Sequence, residues 1–371
     1  MLSGNYQQNL YNKRVPTTKP IKKNRFLTLD YLRGFFIVVI IVDHLSRWPS
    51  LFAIVSGKAL LWVTAAEGFV AISGLLVGYV RGFKNKDQPM RSVAKKLLLR
   101  AGLLYLWSLI ASIAYAAIIW YVPLKGGAPW VPIPVGDWQE LITQLITMKY
   151  TFVWVHFLTL YALFLAAAPI AVWLLRKGLA WVVAIASFAA LIIGWNLHNE
   201  ALQWQFLFFI PTIAGYYLDS IMNWWKKLTA KTRHSITTAT LAVTGLTIGV
   251  SIIATFYPAI LGDASDTLNA LFAKDTISLW RAGIAFLWFG GFILLFSIFG
   301  TFIQRFFGWL LLPIGTHSLT AYILHGVAIC AISFVGLGSE NILANTLLGA
   351  TAILITWGLL KVPFVRKVIP S

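Results

Sequence analysis

A handful of ionisable residues stand inside apolar runs, where charge is costly, and they bound the chemistry this chain can do. The first run holds Leu29-Asp30-Tyr31-Leu32-Arg33-Gly34 at one end and Val42-Asp43-His44 at the other, and Glu67 follows in the second. On a helix rising 1.5 Å per residue, Asp30 and His44 stand about 21 Å apart, so one reaction centre cannot hold both. Asp30 and Arg33 share a helical face at the spacing of a local ion pair; alternatively Arg33 holds an anionic cofactor that Asp30 orients. Asp43 and His44 point about 100° apart and do not face each other. His44 becomes a general base if a carboxylate orients its ring, and Glu67 is the nearest candidate. With the second helix starting at residue 59, Glu67 lies about 12 Å below its outer end; a later start would bring it level with His44.

Other polar candidates are weaker singly. His156, Asn196, His198 and His325 fall in or near spans, where a lone polar side chain is more often structural. His317 can cap a helix or face the cytoplasm, and His234 beside Lys231 and Arg233 reads as solvated. Arg91, Lys95, Lys96 and Arg100 recur at helical spacing before the third span. Such a cluster marks a cytoplasmic flank, and it also has the form of a phosphate site able to hold a nucleotide diphosphate.

The elements that must position these groups are membrane helices. Of 371 residues, 59% are hydrophobic and 11% charged, against roughly 25% charged in an average soluble domain. Mean hydropathy is +0.77. Apolar runs predict ten spans, at 27–46, 59–80, 97–122, 152–175, 179–194, 204–223, 235–256, 281–300, 309–334 and 341–360, in an all-α polytopic bundle. The first run is read as a span, since no small-residue cleavage site follows it. The net charge of +18 would suggest nucleic acid in a soluble protein; here topology explains it, and no nucleic-acid partner is expected. Basic residues cluster in the 1–25 tail, around Arg81–Lys96, at Arg176 and Lys177, around Lys226–Arg233, and at Arg305 and Lys361, which puts both termini in the cytoplasm. The organisation is therefore a basic tail (1–25), a membrane domain (26–361) and a short cytoplasmic tail (362–371). The lone Cys330 cannot form an internal disulfide and reads as a buried thiol. Two outer connections are long: 123–151, with Trp130 and Trp138, and 257–280. Their aromatic rings suit sugar faces, although Trp also gathers at membrane interfaces as an anchor. The chain has no internal repeat, P-loop, dinucleotide motif or Cys/His metal spacing.

Arg25, Leu29 through Gly34, Asp43-His44, Ala65 through Val70 and Ser73-Gly74 together resemble the amino-terminal half of the OpgC family of integral-membrane acyltransferases. Arg100-Ala101 with Leu104-Tyr105, Leu158 through Tyr161 with Pro169, Trp204-Gln205 with Gly215, and Gly315 with Ser318-Leu319 and Tyr322 through His325 extend the likeness over about residues 25–330. The opening motif is shared with the wider acyltransferase-three and heparan glucosaminide acetyltransferase-like groups. His156 departs from the pattern, standing where many such chains carry Asp.

The resemblance implies transfer of an acetyl or succinyl group from cytoplasmic acyl-CoA to a hydroxyl of an extracytoplasmic glycan, at the plasma (inner) membrane. In that scheme Arg33, Lys95, Lys96 and Arg100 hold the acyl-CoA donor. His44 is the base, with Asp43 or Glu67 orienting it, or it carries the acyl group covalently. Asp30, His156, Asn196 and His325 are supporting residues. No metal is expected; the bilayer and a glycan acceptor are the partners, with a homodimer as the oligomeric expectation. A succinyl group would need a nearby cation, for which Arg47 and Arg281 are candidates. The competing function is a transporter or glycan exporter whose buried charges line a path, a reading that helices broken by Gly or Pro would favour.

Overall fold

The computed structural model describes residues 27–124, 129–335 and 340–369. The basic tail, with Lys13, Arg14, Lys19, Lys22, Lys23 and Arg25, lies outside them, as does Lys125. The regular structure of the described residues is all helical, without strands. Eleven main helices carry the fold: α1 (Leu27–Leu45), α2 (Ala65–Leu76), α3 (Met90–Tyr121), α4 (His156–Arg176), α5 (Ala180–Asn196), α6 (Glu200–Tyr216), α7 (Ala230–Phe256), α8 (Leu279–Ile298), α9 (Gly300–Thr316), α10 (Ser318–Val335) and α11 (Ile342–Leu359). Many start on oxygen-bearing caps: Thr64, Asn199, Thr229, Ser278 and Asn341 each accept a backbone N–H that the helix itself leaves unpaired. Leucine, isoleucine, phenylalanine and tryptophan side chains such as Leu99, Ile185, Trp181 and Phe302 are exposed on the outside. That apolar exterior suits lipid and not water.

The count of ten spans is corrected. Among the described residues six helices are long and apolar enough to cross a membrane, seven if one bent pair counts as a single span. Helix α1 carries Asp30, Arg33 and Asp43 within 19 residues, too much charge for an ordinary span. Helices α5 and α6 have 17 residues each, about 26 Å, short of a ~30 Å hydrocarbon core. The expected 204–223 span breaks at Tyr217 and continues as an amphipathic helix, Leu218–Lys227. The expected 309–334 span is two helices, α9 and α10, bent by 100° at His317, just after Pro313.

Several glycines of the resemblance are helix crossings. A Cβ on Gly34 would lie 2.1 Å from the Leu311 carbonyl oxygen, and one on Gly315 would lie 1.8 Å from that of Asp30, so α1 and α9 touch backbone to backbone. Gly74 and Gly215 make the same contact between α2 and α6, against Phe208 and Leu75. Small residues permit such close approach in membranes, where packing rather than the hydrophobic effect holds helices together.

Candidate active site

At one end of the bundle the basic residues face a cleft of about 530 Å³ lined by Arg33, Ser73, Arg81, Lys96, Arg100 and Tyr161 among others. Arg33 sits at its inner side within electrostatic reach of Asp30, Tyr161 and Arg100, and its Nε is buried with no hydrogen-bond partner. Lys96 and Arg100 are four apart on α3 and share its cleft-facing side, which is why both reach it. Lys95 does not: it lines a separate shallow surface with Leu98, Leu99 and Leu106. Beside the cleft, α2 continues into wider, π-helical turns, Val77–Lys84. Arg176 from the end of α4 donates to the carbonyls of Arg81, Asn85 and Gln88, which ties this connection down.

A file of rings leads inward from Arg33. Its guanidinium carbon lies 5.9 Å from the centroid of Phe69, which stacks on Tyr322 at 6.3 Å. Tyr322 lies 5.2 Å from His325, and His325 4.9 Å from His44. His44 Nδ1 is 2.7 Å from His325 Nε2, across 281 residues of sequence. His325 Nδ1 meets the Tyr322 carbonyl oxygen.

That last contact assigns the protons. A carbonyl only accepts, so His325 Nδ1 carries a hydrogen and, in the neutral ring, Nε2 is a bare lone pair. His44 Nδ1 must then donate to it, which leaves His44 Nε2 as a bare, basic nitrogen. The buried His325 thus stands against the His44 ring where a carboxylate, Asp43 or Glu67, was expected.

Glu67 is engaged elsewhere. Helix α2 starts at Ala65, not 59, with Thr64 and Glu67 forming a reciprocal capping box. Gly68 packs on the Phe36 ring, about two turns below His44, so the later start leaves Glu67 deep rather than level. One carboxylate oxygen accepts from Thr64 N–H (3.0 Å) and Oγ1–H (2.6 Å); the other accepts from Arg281 Nε (3.0 Å) and Nη2 (2.5 Å). Arg281 Nη1 also donates to the carbonyls of Ala273, Lys274 and Thr276, and its guanidinium carbon lies 5.7 Å from the Trp204 centroid. Each guanidinium nitrogen is thus engaged, which commits Arg281 to holding Glu67 and the 273–276 carbonyls together. Asp43 faces Ser56, the Ala59 N–H and Lys274, not His44. Lys274, on the loop before α8, has its pKa lowered to about 8 by burial and by Arg281, against the opposing pull of Glu67 and Asp43.

The remaining candidates lie apart. Asp30 belongs to the basic end, its carbonyl against Gly315. His156 Nε2 meets Glu200 at 2.8 Å on a half-exposed surface, and Asn196 donates to the Ile192 carbonyl of its own helix. The Arg281–Glu67 pair escaped the sequence reading; the only hint was a charge in the first turn of a span.

A basic cleft joined by packed rings to a pair of histidines, His325 buried and His44 partly so, inside a bundle with several apolar helices long enough to cross a membrane, defines an integral-membrane protein with an enzyme-like centre. The family model described as OpgC protein matches residues 25–364, and the chain belongs to that family. Membership points to an acyltransferase-type enzyme of the membrane. No curated protein and no solved structure matches the chain.

Proposed function

We propose that the chain is a membrane O-acyltransferase that takes an acetyl or succinyl group from cytoplasmic acyl-CoA and places it on a hydroxyl of an extracytoplasmic glycan. The observation that carries this is the His44–His325 pair at the end of the ring path from the basic cleft. Arg33, Lys96 and Arg100, with Arg81, supply cations for the donor's phosphates, and Arg33 brings a buried N–H in need of an acceptor. The donor's thioester end then follows Phe69 and Tyr322 toward His44. His44 Nε2 takes the proton of the acceptor hydroxyl as its oxygen attacks the thioester carbonyl carbon. The C–S bond breaks and the same proton passes to the departing sulfur. His325, held by the Tyr322 carbonyl, keeps the His44 ring in the reactive tautomer and accepts a hydrogen bond from the transient imidazolium.

Release of CoA by the purified protein in nanodiscs, with acetyl- and succinyl-CoA in parallel and a glycan acceptor present, tests the reading. His44→Ala should lose about 10²–10⁴-fold in turnover. Full turnover in that variant would overturn the assignment. The 100° break at His317 favours one competing function, an exporter, because broken helices often line substrate paths. Glycan movement across the bilayer that persists in His44→Ala after transfer is lost would support it.

A further inference from the structure

We infer that the segment Pro129–Trp138 and the end of α3 form a docking subsite for the sugar chain, a reading that rests on the glycan acceptor proposed above. Sequence alternation builds the platform. Val131 and Ile133 are 5% and 3% exposed and pin the segment inward, while Trp130, Pro132 and Pro134 between and beside them face outward. Trp130 is 82% exposed, more than any other tryptophan among the exposed ones. Prolines fix their own φ, so the ring stands on a stiff strip.

The surface is concave. Trp130, Pro132 and Pro134 face Ile119 and Trp120 across a cleft of about 460 Å³, within the range of small-ligand sites. Trp120 also packs edge-on to Trp138, at 5.1 Å between centroids. The indole N–H of Trp120 is buried with no hydrogen-bond partner. A buried donor without an acceptor is costly, and a sugar hydroxyl or ring oxygen in the cleft would supply one. The rim is acidic and amide-bearing: Asp137 caps the next helix through Glu140 N–H at 3.0 Å, and Gln144 donates to Glu140 at 2.7 Å. Exposed carboxylate and amide groups suit polyhydroxylated ligands.

Position completes the argument. Tyr115 on α3 donates to the Ile323 carbonyl, and its ring fills the space over Gly326, beside His325. Trp120 lies five residues further along the same helix, about 7.5 Å beyond Tyr115 and away from the basic end. A sugar chain stacked on Trp130 therefore starts close above the histidine pair, with later residues free to reach it.

The test measures sugar binding alone, without donor, so its outcome is separate from that of the transfer reaction. Nanodisc-embedded protein is titrated with cellohexaose, laminarihexaose and maltohexaose, following tryptophan fluorescence. At least one sugar should bind saturably, Trp130→Ala should weaken it about tenfold, and Trp130→Tyr should restore most of the loss. Trp181→Ala, on a lipid-facing helix, should leave binding unchanged. Absence of saturable binding by all three sugars, or equal binding by Trp130→Ala, overturns the subsite. Quenching of Trp130 by brominated lipid with sugar binding unaffected would instead assign the ring to the bilayer interface, and also overturns it.

Discussion

Replacing Glu67 tests whether it is a catalytic carboxylate or the counter-charge of a buried arginine. Its side chain is 1% exposed and that of Arg281 3%, and the two oxygens take four hydrogen bonds between Thr64 and Arg281. Glu67→Gln cannot satisfy this arrangement in either orientation: the amide NH₂ must face either the Thr64 N–H or the guanidinium, a donor against a donor. It also leaves the Arg281 charge buried and uncompensated, which costs about 3–5 kcal/mol when one partner of such a pair is removed. The apolar double variant Glu67→Leu/Arg281→Met removes both charges and should cost less than the two single losses summed, with a coupling of about 0.5–3 kcal/mol. The lone Cys330 is buried, so a thiol-reactive dye reports unfolding directly on heating. Additive losses, or a Glu67→Gln variant as stable as wild type, would refute the pairing argument. A Glu67→Gln variant that is stable yet inactive would return Glu67 to the reaction centre.

Gly315→Ala should abolish the folded yield, judged by size-exclusion profile, because its Cβ would lie 1.8 Å from the Asp30 carbonyl oxygen, a backbone atom that cannot swing aside. Arg33→Ala, Lys96→Ala and Arg100→Ala should each raise KM for acyl-CoA by about tenfold, while Lys95→Ala should not, since Lys95 lines another surface. The lowered pKa of Lys274 predicts a rise in stability with pH. Above about 8 the folded state has lost the proton that the unfolded chain keeps until about 10.5, so stability climbs through that window; Lys274→Met should flatten this climb in a melt series over pH.

Residue type and placement in apolar runs singled out the groups that the structure gathers around the cleft and the histidine pair. His44 and Arg33 stood out because an ionisable group in an apolar run is expensive, and Lys96 and Arg100 because they recur at helical spacing near the start of α3. What failed was partnership. Nearness in sequence offered Glu67 to His44, yet the ring is held by His325, 281 residues away, and Glu67 by Arg281 across 214. Hydropathy windows average over a bend, so 309–334 read as one span although Pro313 and the turn at His317 divide it. Lys95 was indistinguishable from Lys96 by charge alone; their 100° separation on α3 sends one toward the cleft and the other away from it.

The backbone contacts at Gly34–Leu311, Gly315–Asp30, Gly74–Phe208 and Gly215–Leu75 have a mechanical consequence. Helices meshed this tightly cannot slide by a residue without forcing a side chain into a carbonyl, so α1 with α9, and α2 with α6, behave as two welded frames. Arg33 and His44 ride on the same welded strut, their separation set at about 16 Å by eleven helical steps. On the proposed reading, transfer across the bilayer finds on such a chassis no stroke along that strut. The distance must be covered by the reach of the donor's flexible arm, and acyl carriers shortened below that gauge should bind in the cleft yet never present their thioester to His44.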